Sequence, residues 1–250
     1  MTSGAARAAG AARAAGAAGA TRAAGAAGAT RPTRHNGIRA VVFDVGETLV
    51  DETRPWGEWA DWLGIPRLTM FAVLGGMIER GEEHRRAAEL LRPGLDLEAE
   101  SARRRDMMGT SWMEAEDLYP DAMPALRALR AAGYRVGVAG NQPLETERVI
   151  AGLGLELDLV ASSAGLGVSK PDPAFFSRIA EGLDLTPAAI AYVGDRVDND
   201  VRPAAAAGMR AIFIRRGPWA HLQARDGWPA EAAATIDSLL ELPEVVARLG

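Results

Sequence analysis

Val41-Val42-Phe43-Asp44-Val45-Gly46-Glu47-Thr48-Leu49-Val50-Asp51 is the stretch from which the rest of the chain is read. Three apolar β-formers run into an aspartate, and a glycine follows two residues later. A short apolar run bounded by a turn signal predicts a buried strand of a parallel sheet. The Asp44 carboxylate then lies at the carboxyl end of that strand, where open α/β sheets place their ligands. Taken alone, such an aspartate is as well explained as a strand-end turn residue. Three later stretches weigh on the choice.

Outward from this strand, which spans 38–44, the pattern changes. Between residues 56 and 118 no strand-like alternation occurs; helices are predicted over 56–63, 68–80, 82–91 and 97–108. Trp56, Trp59 and Trp62 recur every three residues and so share one helix face. Packing inside a small helical bundle explains them better than an apolar lid over a substrate. From Asp121 onward helix and strand alternate. A helix over 121–132 stops at Gly133, a helix-terminating residue. Strands follow over 134–139, 157–162, 190–193, 211–214 and 234–236, interleaved with helices over 144–153, 173–183, 201–207 and 239–249. This pattern predicts an α/β fold: a Rossmann-like parallel sheet core with helices on both faces. The helical block after the first strand is too long for one crossover and reads as an inserted all-helical cap domain. The expected organisation is a tail over 1–37, a core over 38–54 and 119–250, and a cap over 55–118. Residues 4–30 contain only Ala, Gly, Arg and Thr and offer nothing to bury, so a disordered tail is expected. Its Arg-rich, acid-free content has a faint transit-peptide character, but it lacks the large apolar residues of an amphipathic face.

Composition narrows the function classes. Apolar residues make up 48% of the chain, enough for a substantial core. With no cysteine there is no disulfide framework and no thiolate ligand or nucleophile. No apolar run reaches membrane-spanning length. The net charge is −5, and setting aside the tail's five arginines leaves the remainder near −10, which does not favour nucleic acid as a partner. A cytoplasmic monomer or homodimer acting on a small molecule is expected. Of the 28 basic residues all but one are arginine; Lys170 is the single lysine. Arginine is a planar fork with an immovable charge and lysine a compact point charge, so a position that keeps lysine against this bias is a candidate for needing an ammonium.

Each predicted strand end carries chemistry. The first supplies Asp44, and the second Gly140-Asn141. The loop after the third supplies Ser169-Lys170-Pro171-Asp172-Pro173, and the fourth Gly194-Asp195-Arg196-Val197-Asp198-Asn199-Asp200. In a parallel sheet these ends face one way, so an ammonium and several carboxylates can converge in one crevice.

Asp after an apolar strand, Lys-Pro-Asp-Pro, and Val-Gly-Asp-x-x-x-x-Asp, in this order, resemble the haloacid dehalogenase-like hydrolase superfamily over about residues 38 to 217. The block between Asp51 and Asp121 looks like the helical cap inserted after that superfamily's first strand. The resemblance implies Asp44 as nucleophile, forming an aspartyl intermediate. Two anions must then meet, which requires Mg²⁺ on oxygen ligands and the ammonium of Lys170. It implies Asp44, Asp195 and the backbone carbonyl of Gly46 as metal ligands. Asp200 acts in the outer shell or orients Lys170; Asp198 is the alternative and is expected instead to cap the following helix. The backbone N–H groups of Gly140 and Asn141, with Lys170, would hold the phosphoryl group of a small phosphorylated metabolite.

Two positions depart from the superfamily's phosphatases. Where they carry a second Asp that protonates the leaving group, this chain has Gly46. Loss of such a group typically costs ~10²–10⁴ in rate. Glu47 is adjacent, but one step along an extended backbone points a side chain the other way. Where a Ser or Thr hydroxyl usually holds the phosphoryl, this chain has Gly140. These departures keep two alternatives open. One is metal-independent 2-haloacid dehalogenase-like chemistry, whose enzymes likewise lack the second Asp; the acid-rich 194–200 stretch argues against it. The other is a catalytically impaired binding protein, against which Lys170 and the acids argue.

Overall fold

The computed structural model describes residues 37–108, 113–154 and 156–250. The tail expected to be disordered lies, residue 37 aside, outside the described residues. Among these, β1 (Ala40–Phe43), β2 (Arg135–Gly140), β3 (Leu159–Ser162), β4 (Ile190–Gly194), β5 (Arg210–Ile214) and β6 (Ala234–Ile236) form one sheet in the order β3-β2-β1-β4-β5-β6. Every pairing is parallel. Val41 stands in register with Val136 on one side and Ala191 on the other. The chain runs outward from β1 to β3, then returns to β4 on the opposite side, so β1 flanks the point where strand order reverses. That reversal opens a crevice at the strands' carboxyl ends.

Strand residues alternate between two cores because successive side chains point to opposite faces. Val41, Phe43, Val136, Val138, Ala191 and Val193 pack on one face with Leu126 and Leu129 of α5 (Ala122–Ala131) and Val245 and Val246 of α11 (Leu242–Leu249). Ala40, Val42, Ala139, Ile190 and Tyr192 pack on the other face against α8 (Pro173–Leu183). Helix α8 shows why its segment is helical. Asp172 caps it by accepting from the Ala174 N–H at 2.8 Å, Pro173 stands in the first turn, and Phe175, Phe176, Ile179, Ala180 and Leu183 make a buried stripe. Between α5 and α8 lie α6 (Leu144–Ala151) and α7 (Ser163–Leu166); α9 (Arg202–Ala206) and α10 (Gly217–Gln223) follow β4 and β5.

All helices between β1 and residue 108 share a separate core. They are α1 (Thr53–Trp62), α2 (Arg67–Glu79), α3 (Ala87–Leu91) and α4 (Leu97–Met108). Trp56, Trp59, Leu63, Met70, Leu74 and Met77 cluster there, so the tryptophan face is packing. The continuous helix expected over 82–91 is broken. Glu83 accepts from the Arg85 N–H at 3.1 Å, His84–Arg86 forms a 3₁₀ turn, and only then does α3 begin. Similarly, the helix expected over 201–207 starts with a π-helical turn, Val197–Val201, before α9. No helix among the described residues is long and apolar enough to cross a membrane.

Phe176 is fully buried and meets both Phe175 and Tyr192 edge-to-face, at centroid distances of 5.4 and 5.2 Å. Phe176→Ala is expected to lower unfolding free energy by about 3–5 kcal/mol in urea titration. Leu68→Ala, at a side chain 81% exposed, is expected to change it by less than about 0.5 kcal/mol.

Candidate active site

The sheet ladder carries directly into the first site residue: the Asp44 N–H donates to Val193 O at 2.9 Å, so this carboxylate is anchored between β1 and β4. Asn141 follows β2, Asp195 follows β4, and Lys170 lies in the loop between α7 and α8. These four, with Asp200 from the π-helical turn, meet at the crevice. Lys170 Nζ donates to Asp44 Oδ1 and to Asp200 Oδ1, each at 2.6 Å. The ammonium also stands 5.6 Å from the centre of the Tyr192 ring, whose hydroxyl donates to Ala139 O at 2.8 Å. Burial disfavours the charged amine, but the charges of Asp200 and Asp44 outweigh it and hold Lys170 well above the ordinary lysine range. Asn141 secures the lysine's backbone from both sides: its Oδ1 accepts from the Lys170 N–H at 2.8 Å and its Nδ2 donates to Lys170 O at 2.9 Å. The Asn141 side chain is therefore a clamp on the Lys170 loop, a role the sequence did not announce.

Asp44, Asp195 and Asp200 each offer an oxygen within 4.8 Å of the others, and all three are buried. Of these three acids, Lys170 Nζ donates to Asp44 and Asp200. Asp195 Oδ2 is buried without a hydrogen-bond partner; Thr48 Oγ1 is the other such atom among the described residues. Burial, then the like charges of Asp200 and Asp44, hold the Asp195 carboxyl well above the usual range. Burial also lifts Asp200 to about 6, against the pull of Lys170. An orphaned carboxylate oxygen beside two more carboxylates is a hard, all-oxygen donor set, which fits Mg²⁺ or a similar cation.

The loop after Asp44 does not stay extended. The N–H groups of Thr48, Leu49 and Val50 all turn back to Val45 O, and Glu47 has φ 53. This overturns the expectation that alternation along a strand directs Glu47 away. Its carboxylate is buried and satisfied at both oxygens: Oε1 accepts from the Glu52 N–H at 3.0 Å and Oε2 from the Tyr119 hydroxyl at 2.7 Å. Burial raises its pKa, with those two hydrogen bonds opposing. Glu52, which sequence reasoning passed over, shares the crevice. Trp56 Nε1 donates to its Oε2 at 3.2 Å. Burial, then the charge of Glu47, push its carboxyl up to about 7. The only signal for it in the chain is an acidic pair, Asp51-Glu52, directly after the first motif.

Both glycine departures have close neighbours. A Cβ on Gly140 would lie 2.7 Å from Asp44 Oδ1, and one on Gly46 would lie 2.3 Å from Glu52 Oε1. Each glycine leaves room for a carboxylate.

The remaining wall comes from the helical segment and α10. His84 is buried between Trp219 and Trp56, with ring centres 4.6 and 5.9 Å away. Arg85 reaches across to donate to Asn141 O at 3.2 Å. Glu79 pairs with Arg225, a second link between α2 and the region after α10. The cleft is open to solvent on one side, and its inner part measures about 50 Å³. His84 and Arg85 were also missed, since no periodicity marks a 3₁₀ turn. Asp198 does not cap a helix: its carboxylate accepts from Arg196 Nη2 at 2.6 Å and Gln223 Nε2 at 2.8 Å, outside the acidic cluster.

A family model described as haloacid dehalogenase-like hydrolase matches residues 38–208. The chain is 32% identical over 186 residues to a phosphatase of Mycobacterium tuberculosis, covering 73% of this chain and 78% of that one. It is 38% identical over 112 residues to a glyceraldehyde 3-phosphate phosphatase of Methanopyrus kandleri, covering 43% of this chain and 48% of that one. The chain thus spans about half the length of the second relative. Among solved structures, a predicted phosphoglycolate phosphatase from Haemophilus somnus superposes with a TM-score of 0.62 at 18% identity, over 83% of this chain and 97% of that one, a likeness of fold.

His84 sets a pH dependence of stability. Burial first, then the charges of Arg85 and Arg196, lower its pKa to about 4, from 6.5. As pH falls from 6.5 toward 4 the unfolded chain takes up the proton before the folded one, so its contribution is present above 6.5 and lost on the way down. His84→Asn is expected to show a shallower fall of Tm between pH 7 and pH 4.5 than the native chain, measured by circular dichroism.

Proposed function

The chain belongs to the haloacid dehalogenase-like hydrolases, and on that premise we propose that it is a Mg²⁺-dependent phosphohydrolase of a small phosphorylated metabolite. The observation that carries this reading is Asp195 Oδ2, a buried carboxylate oxygen with no partner beside two further acids. Displacement of halide by Asp44 alone would give that oxygen no task. In this reading Asp44, Asp195 and the carbonyl of Gly46 hold the cation, with Asp200 behind them. The ion, when bound, supplies the positive charge that lets a phosphoryl anion approach a carboxylate.

The chain's own residues do the rest. Asp44 presents its carboxylate as nucleophile at the end of β1, and the aspartyl-phosphate forms on it. Lys170, fixed through its backbone by Asn141, neutralises Asp44 and Asp200 before substrate arrives and faces the phosphoryl oxygens afterwards. With no hydroxyl at 140, the backbone N–H groups of 140–141 share the phosphoryl contact with Lys170. The helical block over 55–118 acts as a cap, with His84 and Arg85 lining the cleft beside the substrate. The relatives named phosphatases support the reaction class. A cytoplasmic monomer or homodimer remains the expected setting.

Phosphate release from p-nitrophenyl phosphate, acetyl phosphate and an alkyl phosphate, with Mg²⁺ or with EDTA, tests the proposal. Turnover is expected with Mg²⁺ only, and Asp44→Asn is expected to reduce it to background. Mg²⁺ is expected to raise the native Tm, and Asp195→Asn to abolish that rise in differential scanning calorimetry. Halide release from a 2-haloacid in EDTA, with no phosphate release in Mg²⁺, would overturn it.

A further inference from the structure

Position 46 poses a problem that the phosphohydrolase reading leaves open. Ester cleavage at Asp44 expels an alkoxide, and the later hydrolysis needs a base for water, yet Gly46 has no side chain for either task. The space that a side chain at 46 would occupy is nonetheless filled. A Cβ there would lie 2.3 Å from Glu52 Oε1 and 2.8 Å from Glu52 Cδ. A carboxyl group therefore stands where a residue-46 side chain would begin, and it comes from a different place in the chain. Trp56 Nε1 holds Oε2 at 3.2 Å, while Oε1 is the oxygen nearer Gly46. Glu52 lines the same cleft as Asp44, Lys170 and Asp195. It is not among the three acids grouped tightly enough to share a cation, so its carboxyl is not absorbed by that cluster.

Glu47 does not fill the role. Both of its oxygens are occupied, by the Glu52 N–H and the Tyr119 hydroxyl. What Glu47 does is hold the backbone of Glu52 in place from below. Both acids line the cleft, but Glu47 has both oxygens engaged in fixing the loop, whereas Glu52 Oε1 stands against Gly46.

Resting on the phosphohydrolase reading, we propose that Glu52 is the general acid and base of the reaction, replacing from the loop after the first motif the acidic side chain absent at position 46. In the first step an Asp44 oxygen bonds to phosphorus as the phosphorus–ester oxygen bond breaks, and the Glu52 proton passes to the departing alkoxide. In the second step water bonds to phosphorus, its proton passes to the Glu52 carboxylate, and the bond from phosphorus to Asp44 breaks. Inorganic phosphate leaves, and both carboxyls return to their starting states.

Glu52→Gln keeps the shape and removes the transferable proton. With Mg²⁺ and an alkyl phosphate its turnover is expected to fall about 10²–10⁴-fold. With p-nitrophenyl phosphate, whose leaving group needs no acid, a burst of about one p-nitrophenolate per chain is expected, with phosphoenzyme on Asp44 visible by intact-protein mass spectrometry. Native-like turnover of the alkyl phosphate by Glu52→Gln, or an equal loss on both substrates without phosphoenzyme, would overturn the assignment. The relocated pair Gly46→Asp with Glu52→Gly serves as the second variant. Recovery of alkyl phosphate turnover at least tenfold above Glu52→Gln supports the assignment, and a folded double variant no faster than Glu52→Gln counts against it. A native chain that hydrolyses no phosphate ester sinks the phosphohydrolase reading itself, whereas native turnover matched by Glu52→Gln sinks only the role of Glu52.

Discussion

A buried ammonium held between two carboxylates is the constraint on which this structure turns. Lys170 is 4% exposed, with Asp44 and Asp200 both 2.6 Å from its nitrogen. Such an arrangement is not a source of net stability, since desolvation offsets much of the attraction. It is strongly directional all the same. Taking away one partner strands a charge in the interior, at a cost of about 3–5 kcal/mol. The loops after β1, β4 and α7 therefore have only one satisfactory arrangement, in which three distant segments converge. A third carboxylate, Asp195, sits in the same place with an unpartnered oxygen. The protein tolerates three clustered, buried carboxyls beside one ammonium, and that local conflict points to a site rather than to a core.

Around this centre a second network fixes the loop that follows Asp44. Arg216 donates to Thr48 O at 3.1 Å and to both oxygens of Asp121, and its guanidinium lies 4.2 Å from the centre of the Tyr119 ring. Tyr119 donates to Glu47, and Glu47 receives the N–H of Glu52. The chain of contacts runs from the end of β5 through the residues before α5 into the first motif. It holds Glu47 at a positive φ, a conformation that costs a non-glycine residue about 1–2 kcal/mol. The restrained loop and the first turn of α1, whose Trp56 N–H donates to Glu52 O at 3.1 Å, together present Glu52 beside Gly46.

The helical segment completes the enclosure by aromatic contact and charge more than by a long apolar seam. His84 wedges between a tryptophan of α1 and one of α10. Arg85 touches the carbonyl of Asn141, whose side chain secures Lys170. The residues that would contact a substrate are thus mechanically linked to those that would react with it.

The strand-helix rhythm, the parallel sheet, the position of Asp44 and the pairing of Lys170 with acids were all legible along the chain. They follow from local rules: apolar runs make buried strands, and strand ends in a parallel sheet face one way. The single lysine among arginines marked its own position. What the linear order concealed was everything that depends on a turn. Glu47 was expected to face away because alternation holds along a strand, but the chain turns back at Val45 and alternation ends there. Glu52 was invisible because its importance lies in volume, not in motif: only three-dimensional packing shows that its carboxyl fills the space left by a missing side chain at 46. His84 and Arg85 lie in a 3₁₀ turn with no period to read. Sequence decided which elements form and where charge collects, since both depend on near neighbours. Tertiary structure decided which acid stands beside which glycine, since that depends on residues brought together only by folding.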